Sequence, residues 1–245
     1  MANLTQLRTL ENLHGFLCVD KPQGIAFSSV VKAVKRRFNL VKVGHGGSLD
    51  TMASGLLVLL VNDANRYTSE VMGSDREWSG TMRLGLSTRT QDVYGETIAQ
   101  APANDIDAGR LETHRQEFLG DVFQTECRWC SVRREGSAGY ETVDTGEHQP
   151  FLAHVYRWNF KGAPAADEAG RVRIDFELAA TKGLIVRTLV ADFGAALGCG
   201  AALEKLRRLR VGAFTVDDAV PFDRLLETDP SALPDLVLPL SRLHL

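Results

Sequence analysis

The run Leu56-Leu57-Val58-Leu59-Leu60-Val61 is apolar at every position. It is far shorter than the roughly 20 residues of a membrane span, so it predicts a buried strand. Upstream, Gly15-Phe16-Leu17-Cys18-Val19 predicts a short strand closed by a turn at Asp20-Lys21-Pro22-Gln23-Gly24. Ser28 or Ser29 offers an N-cap, and Val30, Val31, Val34 and Phe38 share one face of a helix running through about Arg37. A short helix is predicted from Asp63 to Met72. Alternation then predicts a strand over Arg76–Leu84, a polar turn over Thr88–Gly95, and a surface helix over Ile106–Phe118. Period-two strands follow at Val155–Phe160 and Val172–Leu178. After a turn at Gly183, Leu184–Leu189 leads into a helix ending near Leu197, and Leu206–Phe214 is extended. Between Gln124 and Gly146 the periodicity is weak, which predicts a long irregular excursion. Strands and helices without regular alternation favour an α+β fold over a doubly wound sheet.

Composition changes this picture little. The chain has 245 residues, 44% hydrophobic and 24% charged, enough to bury a full core. Met1–Leu13 lacks the pattern of a secretion signal. Four cysteines in so long a chain do not suggest a disulfide framework, so a cytoplasmic, reducing location is expected. The net charge of -3 hides three basic clusters. They are Lys32, Lys35, Arg36, Arg37 and Lys42; Arg128, Arg133 and Arg134; and Lys205, Arg207, Arg208 and Arg210. Each alone suits a solvated face; together on an acidic chain they suggest a local phosphate-binding surface.

Candidate chemistry centres on Gly44–Gly55, which reads G-H-G-G-S-L-D-T-M-A-S-G. Its glycines let a backbone turn tightly and lie close to a ligand, with the one carboxylate of Asp50 in the middle. The same composition suits an Asx turn, and the residues alone leave both readings open. Arg187 sits in the apolar stretch Ile185-Val186-Arg187-Thr188-Leu189, where a buried guanidinium needs an acid, Asp50 or Asp92. It can equally snorkel to solvent. Cys127-Arg-Trp-Cys130 has half-zinc-site spacing without a second pair, and no dinucleotide-binding glycine pattern or Walker lysine is present.

Five blocks in order carry a resemblance. They are Asp20-Lys21-Pro22; the Gly44–Gly55 loop; Arg83-Leu84-Gly85 with Asp92 beyond; Lys182-Gly183-x-x-x-Arg187-Thr188-Leu189; and Leu206-Arg207-Arg208-Leu209. Together they resemble the TruB family of tRNA pseudouridine synthases over about Gly15 to Phe222. The resemblance implies the pseudouridine synthase fold, a mixed bent sheet flanked by helices with an RNA-gripping insertion at about 124–150. It implies one catalytic domain over 1–225, then a short tail over 226–245 where bacterial members usually continue into a PUA domain. The implied activity is cofactor-free, metal-free isomerisation of uridine, at position 55 in the T stem-loop of tRNA, by a monomer without membrane association. Asp50 matches the catalytic aspartate, Arg187 its paired arginine, and Asp92 the acid beside that arginine. His45, Trp78, Lys21, Gly47, Ile185 and Arg208 are the implied substrate contacts.

Two departures bear on activity. Trp78 stands where the family has a tyrosine under the target base, and indole lacks the hydroxyl that could handle a proton. Ile185 replaces a second tyrosine. The insertion keeps Gln124, Ser131, Gly136 and Tyr140-Glu141 but loses the family's prolines. An active minimal synthase is expected, with a catalytically impaired RNA-binding or tRNA-folding paralogue as the alternative.

Overall fold

A computed structural model describes residues 12–132, 139–167 and 171–244. Arg133, Arg134 and Gly136, and most of the stretch inspected for a secretion signal, lie outside the described residues. The chain divides into two compact units, Met1–Arg76 with Arg208–Leu245, and Glu77–Arg207.

In the first unit, β1 (Gly15–Lys21) pairs antiparallel with β3 (Ser54–Val61), from Gly15↔Val61 to Lys21↔Gly55. The strand β2 (Val43–His45) pairs antiparallel with β3, and β14 (Val220–Pro221) runs parallel to β1, so the sheet is mixed. Both faces of β3 are covered, which is why its sequence is apolar without alternation. Leu57, Leu59 and Val61 pack with Val30, Val34 and Phe38, while Leu56, Val58 and Leu60 pack with Phe16, Val71 and Phe214.

Helix α1 (Phe27–Arg37) buries Val30 and Val34 and ends on Lys35, Arg36 and Arg37, where cations complement the helix dipole. Its cap is Ala26 rather than Ser28 or Ser29. Ile25 and Phe27 pack on the core, so the helix begins before either serine. Strand β1 likewise runs through Asp20 and Lys21, and the turn starts only at Pro22. The expected helix over 63–72 is a 3₁₀ segment (Asn62–Tyr67) followed by α2 (Thr68–Gly73).

The C-terminal segment is not a free tail. Helices α5 (Phe222–Glu227) and α6 (Leu233–Leu236) bury Phe222, Leu225 and Leu233 in the same core. Phe16 and Leu238 exchange both backbone hydrogen bonds, at 2.9 and 2.8 Å. Among the described residues, no helix is long and apolar enough to cross a membrane.

The second unit is built on the strand order β12 (Ala201–Val211), β4 (Arg76–Leu84), β11 (Val172–Ala180), β10 (Phe151–Ala166) and β7 (Gly120–Gln124), with β12 running on into the first unit. A small hairpin, β5 (Leu86–Thr88) with β6 (Thr97–Gln100), encloses the Asp92 turn. Trp158, fully buried on β10, meets Phe176 of β11 and Phe193 of α4 (Val186–Ala196). Helix α3 (Ala108–Glu117) starts on Asp107, whose carboxylate accepts the Arg110 N–H at 2.8 Å.

The excursion over 124–146 is more regular than its sequence suggests. Strands β8 (Trp129–Val132) and β9 (Glu141–Asp144) form a hairpin with Trp129↔Asp144 and Val132↔Glu141 opposite each other. Arg128 closes one end with a bidentate contact to Asp144. Four-residue strands with mostly partly or fully exposed side chains leave no alternation to read.

Candidate active site

The Gly44–Gly55 loop is pinned from beneath. Leu49, Met52 and Ala53 are buried, whereas Asp50 between them is exposed. A turn closes behind Asp50, whose carbonyl accepts the Ala53 N–H at 3.1 Å. The Gly24 N–H reaches the Thr51 carbonyl at 2.7 Å, tying the loop to the turn after β1. The result is one carboxylate presented to solvent on a backbone anchored on both sides.

Gly55 is required twice over. Its φ is +100°, and an added Cβ would lie 2.3 Å from the Arg208 carbonyl oxygen. Gly55→Ala is therefore expected to cost about 2–4 kcal/mol, combining left-handed strain with an immovable backbone clash. A lowered urea midpoint would show it, and an unchanged midpoint would contradict the close approach.

Arg208 is the clamp on this loop. It lies on β12, is 3% exposed, and donates Nε to the Leu56 carbonyl at 2.8 Å. Its Nη1 donates to Ser48 O at 2.7 Å and its Nη2 to Gly47 O at 3.4 Å. The resemblance makes Arg208 a substrate contact; within the protein its donors go to the backbone that carries Asp50. Lys21 is held similarly, its fully buried Nζ donating to Pro22 O at 3.0 Å and Ile25 O at 2.8 Å.

The cations feel each other. Burial lowers the Lys21 pKa to about 8, and the Arg208 charge adds to the fall, while Asp50 opposes it. Arg208 is pulled down by burial and then by Arg76, again opposed by Asp50. Arg76 is held by the Ser74 and Met72 carbonyls, each at 3.0 Å. Asp50 thus acts on both buried cations, Lys21 and Arg208, in each case opposing the fall that burial causes.

His45, at the end of β2, is half-buried with its ring tilted against Phe27 at 4.9 Å. Its Nδ1 accepts the Gly47 N–H at 3.3 Å, which leaves the ring proton of the neutral form on Nε2. Burial lowers its pKa, with Gly47 opposing and Arg208 contributing, so neutral imidazole is favoured.

The second unit holds Asp92, Arg187, Trp78 and Ile185. Asp92 is 1% exposed, and its Oδ1 accepts from Ser131 Oγ at 2.7 Å, Thr90 Oγ1 at 2.9 Å and Tyr94 N–H at 2.9 Å. Burial raises its pKa, and these three bonds and the charge of Arg187 pull it back. Arg187, in the first turn of α4, is 4% exposed and donates Nη1 to Thr90 O at 2.8 Å. It does not snorkel. Ile185 precedes that helix, and Gln124 caps it by accepting the Ile185 N–H at 2.9 Å and donating to its carbonyl at 3.2 Å. Trp78 lies on β4 at 4% exposure. The structure thus gathers Lys21, His45, Gly47, Asp50 and Arg208 in one unit, and Asp92 with Arg187 in the other.

Thr90, Arg76 and the capping role of Gln124 escaped sequence reading. Small polar residues are common in turns, and only the folded chain places them beside buried charges.

The fold is that of the pseudouridine synthases. One chain of a structure described as a Cbf5-Nop10-Gar1 complex superposes with a TM-score of 0.69 over 96% of this chain at 22% identity. A second, from an H/ACA RNP bound to a substrate RNA containing 2'-deoxyuridine, gives 0.64. This chain spans 63% and 59% of those chains. The family described as TruB family pseudouridylate synthase (N terminal domain) matches residues 35–183, and tRNA pseudouridylate synthase B C-terminal domain matches 187–243. Among relatives, tRNA pseudouridine synthase B of Corynebacterium efficiens is 34% identical over 84% of this chain and 70% of its own length. That of Opitutus terrae is 33% identical over 88% of each. The chain belongs to the TruB family of pseudouridylate synthases, which are isomerases.

Proposed function

We propose that this protein converts uridine to pseudouridine in tRNA, at the T-loop uridine conventionally numbered 55, with Asp50 as its catalytic carboxylate. The observation that carries the reading is the exposed Asp50 on a loop clamped by buried Arg208. The names of the relatives, tRNA pseudouridine synthase B, supply the substrate class.

The reaction breaks the N1–C1′ glycosidic bond, turns the uracil, and joins C5 to C1′. The C5 proton leaves and N1 gains one, so nothing is added overall and no oxidant is needed. An ionised Asp50 can attack C1′ as the N1–C1′ bond breaks, or remove the C2′ proton as a glycal forms; both require the anion. A base stacked in an RNA loop must be extruded before a side chain can reach it. Arg187 and Asp92 keep the supporting parts the resemblance gives them. Lys32, Lys35 and Arg36 are exposed on α1 and suit phosphate contacts. Arg37 is committed to the Leu226 and Thr228 carbonyls, each at 2.7 Å. No observation favours the non-catalytic alternative.

The test is mass-spectrometric detection of pseudouridine in an unmodified tRNA transcript incubated with the purified protein. Modification of the T-loop uridine is expected; a transcript left unmodified, or modified elsewhere, would refute the assignment. Trp78→Tyr restores a hydroxyl and is expected to raise the single-turnover rate, within the roughly 10²–10⁴-fold that one positioned acid–base group contributes. An unchanged rate would show that indole suffices.

A further inference from the structure

We infer that Ser131 is a positioning residue, through which docking of the β8–β9 hairpin sets the placement of Asp92 and Arg187. This rests on the reading of Asp92 and Arg187 as part of the reaction site.

Ser131 is 6% exposed on β8, within a hairpin of mostly partly or fully exposed residues. Its hydroxyl makes a short 2.7 Å bond to the Asp92 carboxylate and lies 3.0 Å from Thr90 Oγ1, closing a triangle with the Thr90–Asp92 bond. Ser131 and Asp92 are 39 residues apart, so this contact reports whether the hairpin is docked. Arg187 spans the same junction. Its Nη1 donates to Thr90 O on the turn and, at 3.4 Å, to Trp129 O on the hairpin. Around the rim, Cys127 Sγ donates to Arg89 O at 3.2 Å, Arg89 lies over the Trp129 ring, and Tyr94 stacks on Tyr140 at 4.0 Å.

A hydroxyl is needed at 131 because Asp92 has almost no water. Ser131 is the foremost of the bonds that offset the burial of this carboxylate. The charge acting on it is that of Arg187 from α4, while Arg89 of the same turn pairs with Glu96, and Arg128 beside β8 pairs with Asp144. Losing the hydroxyl leaves the anion less stabilised, so Asp92 protonates at higher pH and Arg187 loses its counter-charge.

The experiment compares wild type, Ser131→Ala and Ser131→Thr in the full chain. Carbon-13 NMR follows the Asp92 carboxyl titration in the free protein, and steady-state kinetics on the tRNA transcript follow kcat and KM against pH. In Ser131→Ala, Asp92 is expected to titrate at higher pH. Its kcat is expected to fall about tenfold at the acid end of the pH profile and less at the alkaline end, with KM unchanged. Ser131→Thr, which keeps the hydroxyl, restores both. An Asp92 titration unchanged in Ser131→Ala overturns the inference. A shifted titration in a protein whose wild type makes no pseudouridine refutes the reading of the reaction but leaves the coupling standing.

Discussion

Asp50→Asn is expected to abolish pseudouridine formation, with single-turnover rates falling about 10⁴-fold or more while RNA affinity stays within a few-fold of wild type. Asparagine is nearly isosteric and keeps the turn, since the Ala53 N–H bonds the backbone carbonyl of residue 50. What it loses is the charge. A neutral amide can neither attack C1′ nor remove the C2′ proton as a glycal forms. Filter binding and single-turnover chemistry on the same transcript separate the two quantities. Residual activity above about one-hundredth of wild type would mean that another group carries the chemistry.

Arg208→Ala is expected to destabilise the protein by about 3–5 kcal/mol, seen as a lower urea midpoint and loss of activity at temperatures the parent tolerates. The guanidinium is 3% exposed and caps three carbonyls, so its removal strands buried acceptors and opens a cavity. Arg208→Lys keeps the charge but has no planar fork to reach Leu56, Ser48 and Gly47 together, so it should recover only part of the loss. A variant as stable as wild type would show that water replaces the clamp.

The contrast between these residues shows what a sequence reveals. Asp50 stands out because a lone carboxylate among glycines is chemically conspicuous, and the burial of Arg187 was legible because its neighbours are apolar. Strands β3, β4 and β11 were legible for the same reason: their burial writes a pattern into the chain. The burial of Arg208 was not legible, because its neighbours Arg207 and Arg210 are charged and its strand face also carries Glu204, so the composition suggests a basic surface. Lys21 was misread as part of a turn because composition suggested that β1 ended before it. The β8–β9 hairpin, held by an ion pair and by contacts to the distant Asp92 turn, leaves no such trace.

One feature of the first unit bears on the order of events during synthesis. Ser48 and Arg208 are 160 residues apart, and Leu225 and Leu233 pack in one core with Leu57 and Leu59 of β3. As the polypeptide leaves the ribosome, the Asp50 loop emerges 160 residues before its clamp and stays unlocked until Arg208 follows. The second unit, continuous in sequence, lies between the two. A chain truncated before residue 208 would carry that loop unlocked.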